Sequence, residues 1–213
     1  VTWGGLEKQL GEFKLTSGEG AVHRSEVVGV VGSNGTGKST MIKILAGEHE
    51  YDEGWVTADA KISYKPQHID VDIDGSVQLW LDSELGPRWR SGEFNVNVIK
   101  ALGVDQLLPK RVKKLSGGER QAVSIALCLG READLYLLDE PFAGVTDDFV
   151  PYITSVLEEM RTKHNILLVT NDHVGTLTKL ADNLSHHWRP NSGSSRPLWV
   201  RFQAPVYRRL VTV

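Results

Sequence analysis

A glycine-rich loop between an apolar run and a helical run constrains this chain more than any other feature. Residues 26–31 are predicted to form a buried strand, and residues 41–47 a helix. A strand, a glycine-rich loop and a helix in this order form the setting that a phosphate-binding loop requires. The alternative, a glycine-rich turn that binds nothing, does not account for the pattern together with its flanks. The loop consists of Gly32, Ser33, Asn34, Gly35, Thr36, Gly37, Lys38, Ser39 and Thr40.

Each residue type in this loop has a physical reason to be there. The three glycines permit backbone angles and a close approach that a Cβ would prevent. The loop N–H groups can then face phosphate oxygens, and the start of the helix adds the positive end of its dipole. Lys38 can reach the β- and γ-phosphates of a nucleotide, and the Ser39 hydroxyl can bind Mg²⁺.

Composition places few further limits on function. The chain has 213 residues, of which 40% are hydrophobic and 24% charged, as is usual for a globular protein, and its net charge of −3 does not indicate nucleic-acid binding. The single cysteine, Cys128, excludes a disulfide framework or a cysteine-held metal within this chain. No apolar run approaches the ~20 residues of a membrane span. We therefore expect a cytoplasmic protein without direct membrane insertion, and the start at Val1 fits a fragment of a longer chain.

The region after the loop is predicted to combine short strands with a helical lobe. Strand-like stretches on both sides of the first helix indicate an antiparallel subdomain beside a parallel core. Gln67 follows Pro66, which ends a strand, so Gln67 is expected to face the nucleotide, although one such Gln is also compatible with ordinary polar surface. Asp70, Asp72 and Asp74 alternate but lack the rest of a calcium loop, which favours a solvated acidic loop. Residues 76–130 are predicted to hold the helical lobe.

A second motif, residues 115–121, opens a predicted helix that runs to about residue 131. Ser116 can cap this helix, and Glu119 three residues later completes a capping box. A cap alone does not explain the consecutive glycines Gly117 and Gly118. The additional interpretation is a second helix N-terminus that faces phosphate.

Two acids follow the apolar run of residues 135–138. Asp139 and Glu140 would be costly at the end of a buried strand unless they met a cation or water. Asp139 suits a Mg²⁺ site, directly or through water, and Glu140 suits a base for an attacking water. The alternative is an ordinary acidic pair at a strand end.

The rest of the chain alternates a helix with strands and then changes character. Residues 147–163 predict an amphipathic helix, and residues 166–170 predict a buried strand that ends at Asn171, Asp172 and His173. The alternation predicts an α/β fold with a mostly parallel sheet and ligands at the strand C-termini. Residues 185–213 contain five arginines and no acid. Such a basic tail could contact RNA, but a poorly ordered or divergent tail is the preferred interpretation.

The motifs resemble those of the ABC ATPases in order and spacing over roughly residues 1–184. Residues 32–40 resemble the Walker A loop, Gln67 the Q-loop glutamine, residues 115–121 the LSGGQ-type signature, and residues 135–140 the Walker B strand. This resemblance implies a P-loop NTPase domain that binds ATP and Mg²⁺, with Ser39, Gln67 and Asp139 at the metal and Glu140 as the catalytic glutamate. It implies two domains facing head to tail, so that Ser116, Gly117 and Gly118 contact nucleotide bound by a partner. It also implies an aromatic side chain on adenine, for which Trp3 is the first candidate and Phe13 the second.

Among ABC proteins, the chain resembles the second nucleotide-binding domain of the ribosome-recycling ATPase, or RNase L inhibitor family. The likeness lies in residues 10–15, 62–67 and 131–141. Members of that family carry two such domains and an Fe–S domain, whereas this chain holds one domain. The resemblance implies an ATPase that acts on a ribosomal subunit, alone or with a second ABC domain of the same or another chain.

Three departures from the family pattern affect the expected activity. Asn171 stands where the family has a switch histidine, and an amide cannot carry the charge that histidine can. Turnover is then slow, or His173 replaces the histidine. The acid after Walker B is shifted by one place to Asp147, and the tail does not match the family. Two alternatives stay open: the ATPase subunit of a membrane transporter, whose partner would be a membrane subunit, and a nucleotide-dependent interaction module that does not hydrolyse ATP.

Overall fold

The computed structural model describes residues 1–23, 27–31, 37–57, 59–67, 73–163, 165–170, 199–203 and 207–212. Within these ranges the strands are β1 (Thr2–Leu10), β2 (Phe13–Thr16), β3 (Gly20–Ala21), β4 (Val27–Val31), β5 (Glu53–Val56), β6 (Ile62–Lys65), β7 (Leu135–Asp139), β8 (Asn165–Thr170), β9 (Trp199–Gln203) and β10 (Tyr207–Thr212). The α-helices are α1 (Lys38–Leu45), α2 (Val77–Leu85), α3 (Gly92–Phe94), α4 (Gly117–Gly130) and α5 (Val150–Arg161). A π-helical stretch, Asn95–Lys100, continues α3.

The first sheet is antiparallel and forms a subdomain of its own. Strand β1 pairs with β2 and β3, and also with β5. The inner side chains of β1 and β2, including Trp3, Leu6 and Leu15, are buried and form one core with Met41 and Ile42 of α1. The antiparallel subdomain predicted from the sequence is confirmed.

The second sheet has the strand order β6-β7-β8-β4-β10-β9. All neighbouring strands in it run parallel except β9, which is antiparallel to β10. The side chains of β7 are buried along its whole length, as expected for a strand covered on both faces. This arrangement confirms the predicted α/β fold with a mostly parallel sheet.

The segment predicted to be a basic tail contributes strands to this same sheet. Strand β10 pairs in parallel with β4, with Leu210 opposite Gly29, and β9 pairs with β10. Ten residues or more of the arginine-rich segment thus have their backbone partners in the core sheet. The division of the chain at residue 184 stays a prediction.

The predicted helical lobe is present between β6 and β7. Its core contains Trp80, Trp89 and Ile99, which are buried against the apolar side of α4. Helix α5 also has the predicted buried stripe, but it begins at Val150 rather than at residue 147, because the preceding residues form a turn and place Pro151 in the first helical turn. Among the described residues, no helix is long and apolar enough to cross a bilayer.

Candidate functional site

Strand register brings the ends of four parallel strands to one edge of the main sheet. Val31 of β4 lies opposite Thr170 of β8, and Asp139 of β7 lies opposite Val169. Lys65, the last residue of β6, lies opposite Leu138. The segments that follow these strands therefore leave the sheet side by side, at the edge where parallel sheets bind ligands.

The described end of the phosphate-binding loop is Gly37, which precedes α1. Its φ of 95° and ψ of 8° place it in the left-handed region. A Cβ at this position would lie 2.8 Å from side-chain atoms of both Phe13 and Leu15, so the backbone here is packed closely against β2. Lys38 and Ser39 follow at the start of α1, and the Lys38 side chain is buried. The remaining loop residues, Gly32 to Thr36, lie outside the described residues, and Thr40 lies in the first turn of α1.

Ser39 and Asp139 meet at the sheet edge. Asp139 is 1% exposed, and the Ser39 hydroxyl lies close enough to its carboxyl group to lower the pKa of that group. Burial raises the pKa of Asp139 overall, while the Ser39 hydroxyl and the charges of Lys65 and Lys38 oppose that rise. The Oδ1 atom of Asp139 has no hydrogen-bond partner among the described residues.

This pair fits a magnesium ion. A buried carboxylate oxygen without a partner is costly in a folded protein unless water or an ion completes its interactions. A carboxylate and a hydroxyl are the hard oxygen ligands that Mg²⁺ accepts beside phosphate oxygens. The donor set at Ser39 and Asp139 is therefore compatible with the cation that the sequence predicts.

Glu140, directly after Asp139, has an unusual backbone. Its φ of 49° is the only positive value at a non-glycine residue among the described residues. The Glu140 side chain is 7% exposed, and its backbone carbonyl accepts hydrogen bonds from Gln121 Nε2 at 2.6 Å and from Ala143 N at 3.1 Å. Strained backbone of this kind persists where surrounding contacts enforce it, and it is concentrated at functional sites.

Two residues, Lys65 and Gln121, contact the backbone of Asp139 and Glu140 although sequence reasoning gives them no role. The Lys65 ammonium is buried and donates to the backbone carbonyl oxygens of Asp139 at 2.9 Å and Pro66 at 3.0 Å. Gln121, in the signature segment, donates to Glu140 as described. The sequence signal that could indicate a role for Lys65 is its period-two spacing from Ser63, which places both side chains on the buried face of β6.

The other residues predicted for this edge are less fully placed. Gln67 lies two residues beyond β6 and is exposed, but no described contact joins it to Asp139. Asn171, His173, Asp70 and Asp72 lie outside the described residues. Asp74 is mostly exposed and lies 3.9 Å from Arg111, as a solvated loop carboxylate would.

The candidates for adenine stacking differ in exposure. Trp3 has no exposed surface and belongs to the core of the antiparallel subdomain, so its indole cannot offer a face to a ligand. The choice of Trp3 as the first candidate is therefore wrong, because its position on β1 points it inward. Phe13 is only partly buried, and its ring lies beside Gly37, where an added Cβ would be 2.8 Å from the ring. The second candidate is thus the one that lies next to the phosphate-binding loop.

The signature segment forms a second, separate feature at the start of α4. The Ser116 hydroxyl accepts a hydrogen bond from Glu119 N at 3.3 Å, and Glu119 Oε2 accepts one from Ser116 N at 3.0 Å, so the predicted capping box is present. Lys110 pairs with Glu119 Oε1 at 2.6 Å and lowers the pKa of that carboxyl. The two glycines lie close to the backbone carbonyl of Gly144.

An open cavity of about 490 Å³ lies beside this segment. Ser116, Gly117 and Gly118 line it, together with the loop after β7 and the exposed Tyr152 of α5. None of Lys38, Ser39, Asp139 or Glu140 is among its lining residues. Within the described residues, the polar groups at the sheet edge and the cavity on the helical lobe are therefore two separate features.

Comparisons with known proteins agree with this geometry. The family model described as ABC transporter matches residues 15–143. The ABC transporter E family member 3 of Arabidopsis thaliana is 37% identical over 139 residues, which are 62% of this chain and 77% of that protein. The translation initiation factor RLI1 of Saccharomyces cerevisiae is 35% identical over 181 residues, which are 84% of this chain and 30% of that protein.

A solved structure extends the likeness to nearly the whole chain. The crystal structure of the archaeal ribosome recycling factor aABCE1 with the ribosomal stalk protein aP1 matches with a TM-score of 0.80 and 33% identity. The match covers 99% of this chain and 38% of that one, so the chain spans a minor part of its longer relatives. The chain belongs to the ABC transporter family, and within it to the group that includes the E-family proteins and the RNase L inhibitors.

Proposed function

We propose that this chain binds ATP with Mg²⁺ at the sheet edge and hydrolyses it. The observation that carries the proposal is the proximity of Ser39 to the buried carboxyl group of Asp139, whose Oδ1 atom has no hydrogen-bond partner among the described residues. Glu140, with its strained backbone, follows Asp139 directly. Three functional groups of a phosphoryl-transfer site thus lie at the end of one strand and the start of one helix. Family membership supports the same conclusion.

The proposed reaction assigns one task to each residue. The loop N–H groups and Lys38 bind the phosphates, while Ser39 and Asp139 hold Mg²⁺. Bound Mg²⁺ would neutralise charge on the β- and γ-phosphate oxygens. Glu140 orients the attacking water and accepts its proton as the oxygen bonds to the γ-phosphorus, and the bond to the bridging oxygen breaks to release ADP. We further propose that Phe13 stacks on the adenine ring and that Gln67 reaches the metal site.

We also propose that the complete site forms between two domains. The signature segment supports this, because its helix N-terminus lies at a cavity that none of Lys38, Ser39, Asp139 and Glu140 lines. The positive end of a helix dipole and the backbone N–H groups of the first helical turn suit a phosphate carried by a partner. In a two-fold pair, each domain then closes over the nucleotide of the other.

Mixing two inactive variants tests this pairing. Lys38→Ala damages the phosphate-binding half, and Ser116→Arg damages the signature half, so each variant alone is expected to be inactive. Random mixing gives pairs in which one of two sites is intact, and we expect about a quarter of the wild-type rate to return. Lys38→Ala mixed with Glu140→Gln, which damage the same half, should restore nothing. A mixture that stays at the level of the separate variants would contradict pairing between copies of this chain.

We propose that this ATPase acts on ribosomes. The support is the similarity to proteins whose names place them in translation initiation and ribosome recycling, together with coverage of only part of those proteins. The test uses Glu140→Gln with ATP and Mg²⁺, which holds the nucleotide-bound state, and sedimentation with purified small ribosomal subunits. We expect cosedimentation that is lost without ATP. Recovery of an integral membrane protein from extract, without ribosomal subunits, would favour the transporter alternative.

The switch position is a further part of this proposal. Asn171 can hydrogen-bond a γ-phosphate but cannot carry a positive charge. We expect slow turnover, and Asn171→His should raise kcat. If His173→Ala instead abolishes turnover in the wild-type chain, His173 takes the role of the switch residue.

A further inference from the structure

The corner formed by Asp139 and Glu140 is held from two sides by buried side chains. Lys65 reaches the Asp139 carbonyl from β6, and Gln121 reaches the Glu140 carbonyl from α4. The two bonds are 2.9 and 2.6 Å long and end on successive peptide units. Between them lies Glu140 with φ 49°, a conformation that is uncommon for residues other than glycine.

Burying the charged side chain of Lys65 at its position is energetically unfavourable. It is 1% exposed, and burial lowers its pKa to about 8. An apolar side chain of the same length would avoid the cost of desolvating an ammonium group. The Lys65 ammonium donates to two main-chain carbonyls, those of Pro66 and Asp139, so it joins the start of the Gln67 loop to the end of β7. Packing alone does not account for a lysine here.

Gln121 makes a matching connection from the other side. It is 7% exposed and belongs to the helix that Ser116 caps. Its amide donates to the carbonyl of the one residue proposed to activate water, not to a neighbouring helical turn. Glu140 is thus fixed to the same helix that carries the signature segment.

We infer that Lys65 and Gln121 are positioning residues that set the direction of the Glu140 carboxylate by holding the backbone on both sides of it. This inference rests on the proposed function, because it assumes that Glu140 acts on the attacking water. Neither side chain touches the nucleotide in this account. Loss of either one lets the corner relax toward an ordinary backbone conformation and moves the carboxylate away from its working position.

The test uses near-isosteric variants and measures kcat and KM for ATP separately. Lys65→Met and Gln121→Met keep chain length and remove the donors. We expect kcat to fall roughly tenfold to a hundredfold in each, as a small displacement of a catalytic group costs, while KM stays within about threefold. The double variant should fall little further than the worse single one, because the two residues act as a unit.

Controls come from the same elements. Ser63→Ala removes a hydrogen bond from β6 to the Cys128 carbonyl, and Ser124→Ala removes one within α4 to the Arg120 carbonyl. Neither of these hydrogen bonds ends at Asp139 or Glu140. Both should retain kcat within about twofold, and the melting temperature is measured for all variants. If Lys65→Met does not fold, Gln121→Met decides the question. Folded variants with wild-type kcat would overturn the inference, as would a kcat loss equal to that of the controls.

Failure of the proposed function would look different. A wild-type chain that releases no more phosphate than Glu140→Gln would remove the premise. With the premise intact, a loss seen only as a higher KM would assign Lys65 and Gln121 to nucleotide binding and contradict positioning of Glu140.

Discussion

Replacing Glu140 by glycine is expected to leave a more stable protein than replacing it by alanine, and both changes should remove hydrolysis. The comparison is between Glu140→Gly and Glu140→Ala, because both lose the same carboxylate and differ in the backbone they favour. At φ 49° an L-residue pays about 1–2 kcal/mol relative to the right-handed region. Glycine avoids this strain but gains roughly 0.4–1 kcal/mol of disorder in the unfolded chain. The free energy of unfolding should therefore be about 1 kcal/mol higher for Glu140→Gly than for Glu140→Ala.

The assay is urea unfolding of both variants without nucleotide, followed by circular dichroism, together with phosphate release. For a chain of this size, a difference of about 1 kcal/mol corresponds to roughly 2–4 °C in melting temperature. Glu140→Gln keeps the strain and a similar side chain, so it should match the wild type in stability. A glycine variant no more stable than the alanine variant would refute the idea that strain is stored at this residue.

Burial raises the pKa of Cys128 to about 11, from 9.0, so at pH 8 its thiolate should be about a hundredfold scarcer in the folded than in the unfolded chain. Ellman's reagent should therefore label Cys128 only as urea unfolds the protein. Fast labelling of the native protein would contradict the burial of this thiol. Gly54→Ala should lower the free energy of unfolding by more than about 2 kcal/mol, because φ is 101° there and a Cβ would lie 2.6 Å from two backbone oxygens. Gly18→Ala is the control, since a Cβ at Gly18 would meet nothing within 4 Å and should cost far less stability. Thermal melting of both variants measures the difference. Phe13→Ala should raise the Kd for a fluorescent ATP analogue by roughly tenfold if the ring stacks on adenine, and Phe13→Tyr should not.

Local sequence patterns were sufficient to predict most of the fold. The capping box at Ser116 depends on residues three apart, and the stripe on α5 depends on helical spacing, so both could be inferred without knowledge of distant contacts. The phosphate-binding loop is predicted by its glycine-rich pattern between a strand and a helix. Asp139 is predicted because an acid at the end of a buried strand is costly without a cation or water.

Features that depend on distant contacts could not be inferred in this way. The family resemblance indicates an aromatic residue before Walker A but does not say which face of a strand carries it, so it selects Trp3, which lies in the core. The donors from Lys65 and Gln121 reach Asp139 and Glu140 across 74 and 19 residues of sequence. Composition gave the segment after residue 184 a separate character, but composition carries no information about the partner of a parallel strand such as β10.

Phosphate release from ATP by the wild-type chain and by Glu140→Gln, each over a range of protein concentrations, tests the proposed site most directly. We expect the wild type to hydrolyse ATP in the presence of Mg²⁺ and its specific activity to rise with concentration, because two domains must meet. We expect Glu140→Gln to bind ATP and release no phosphate. Equal phosphate release by both proteins, or hydrolysis that persists without Mg²⁺, would contradict the assignment of the site.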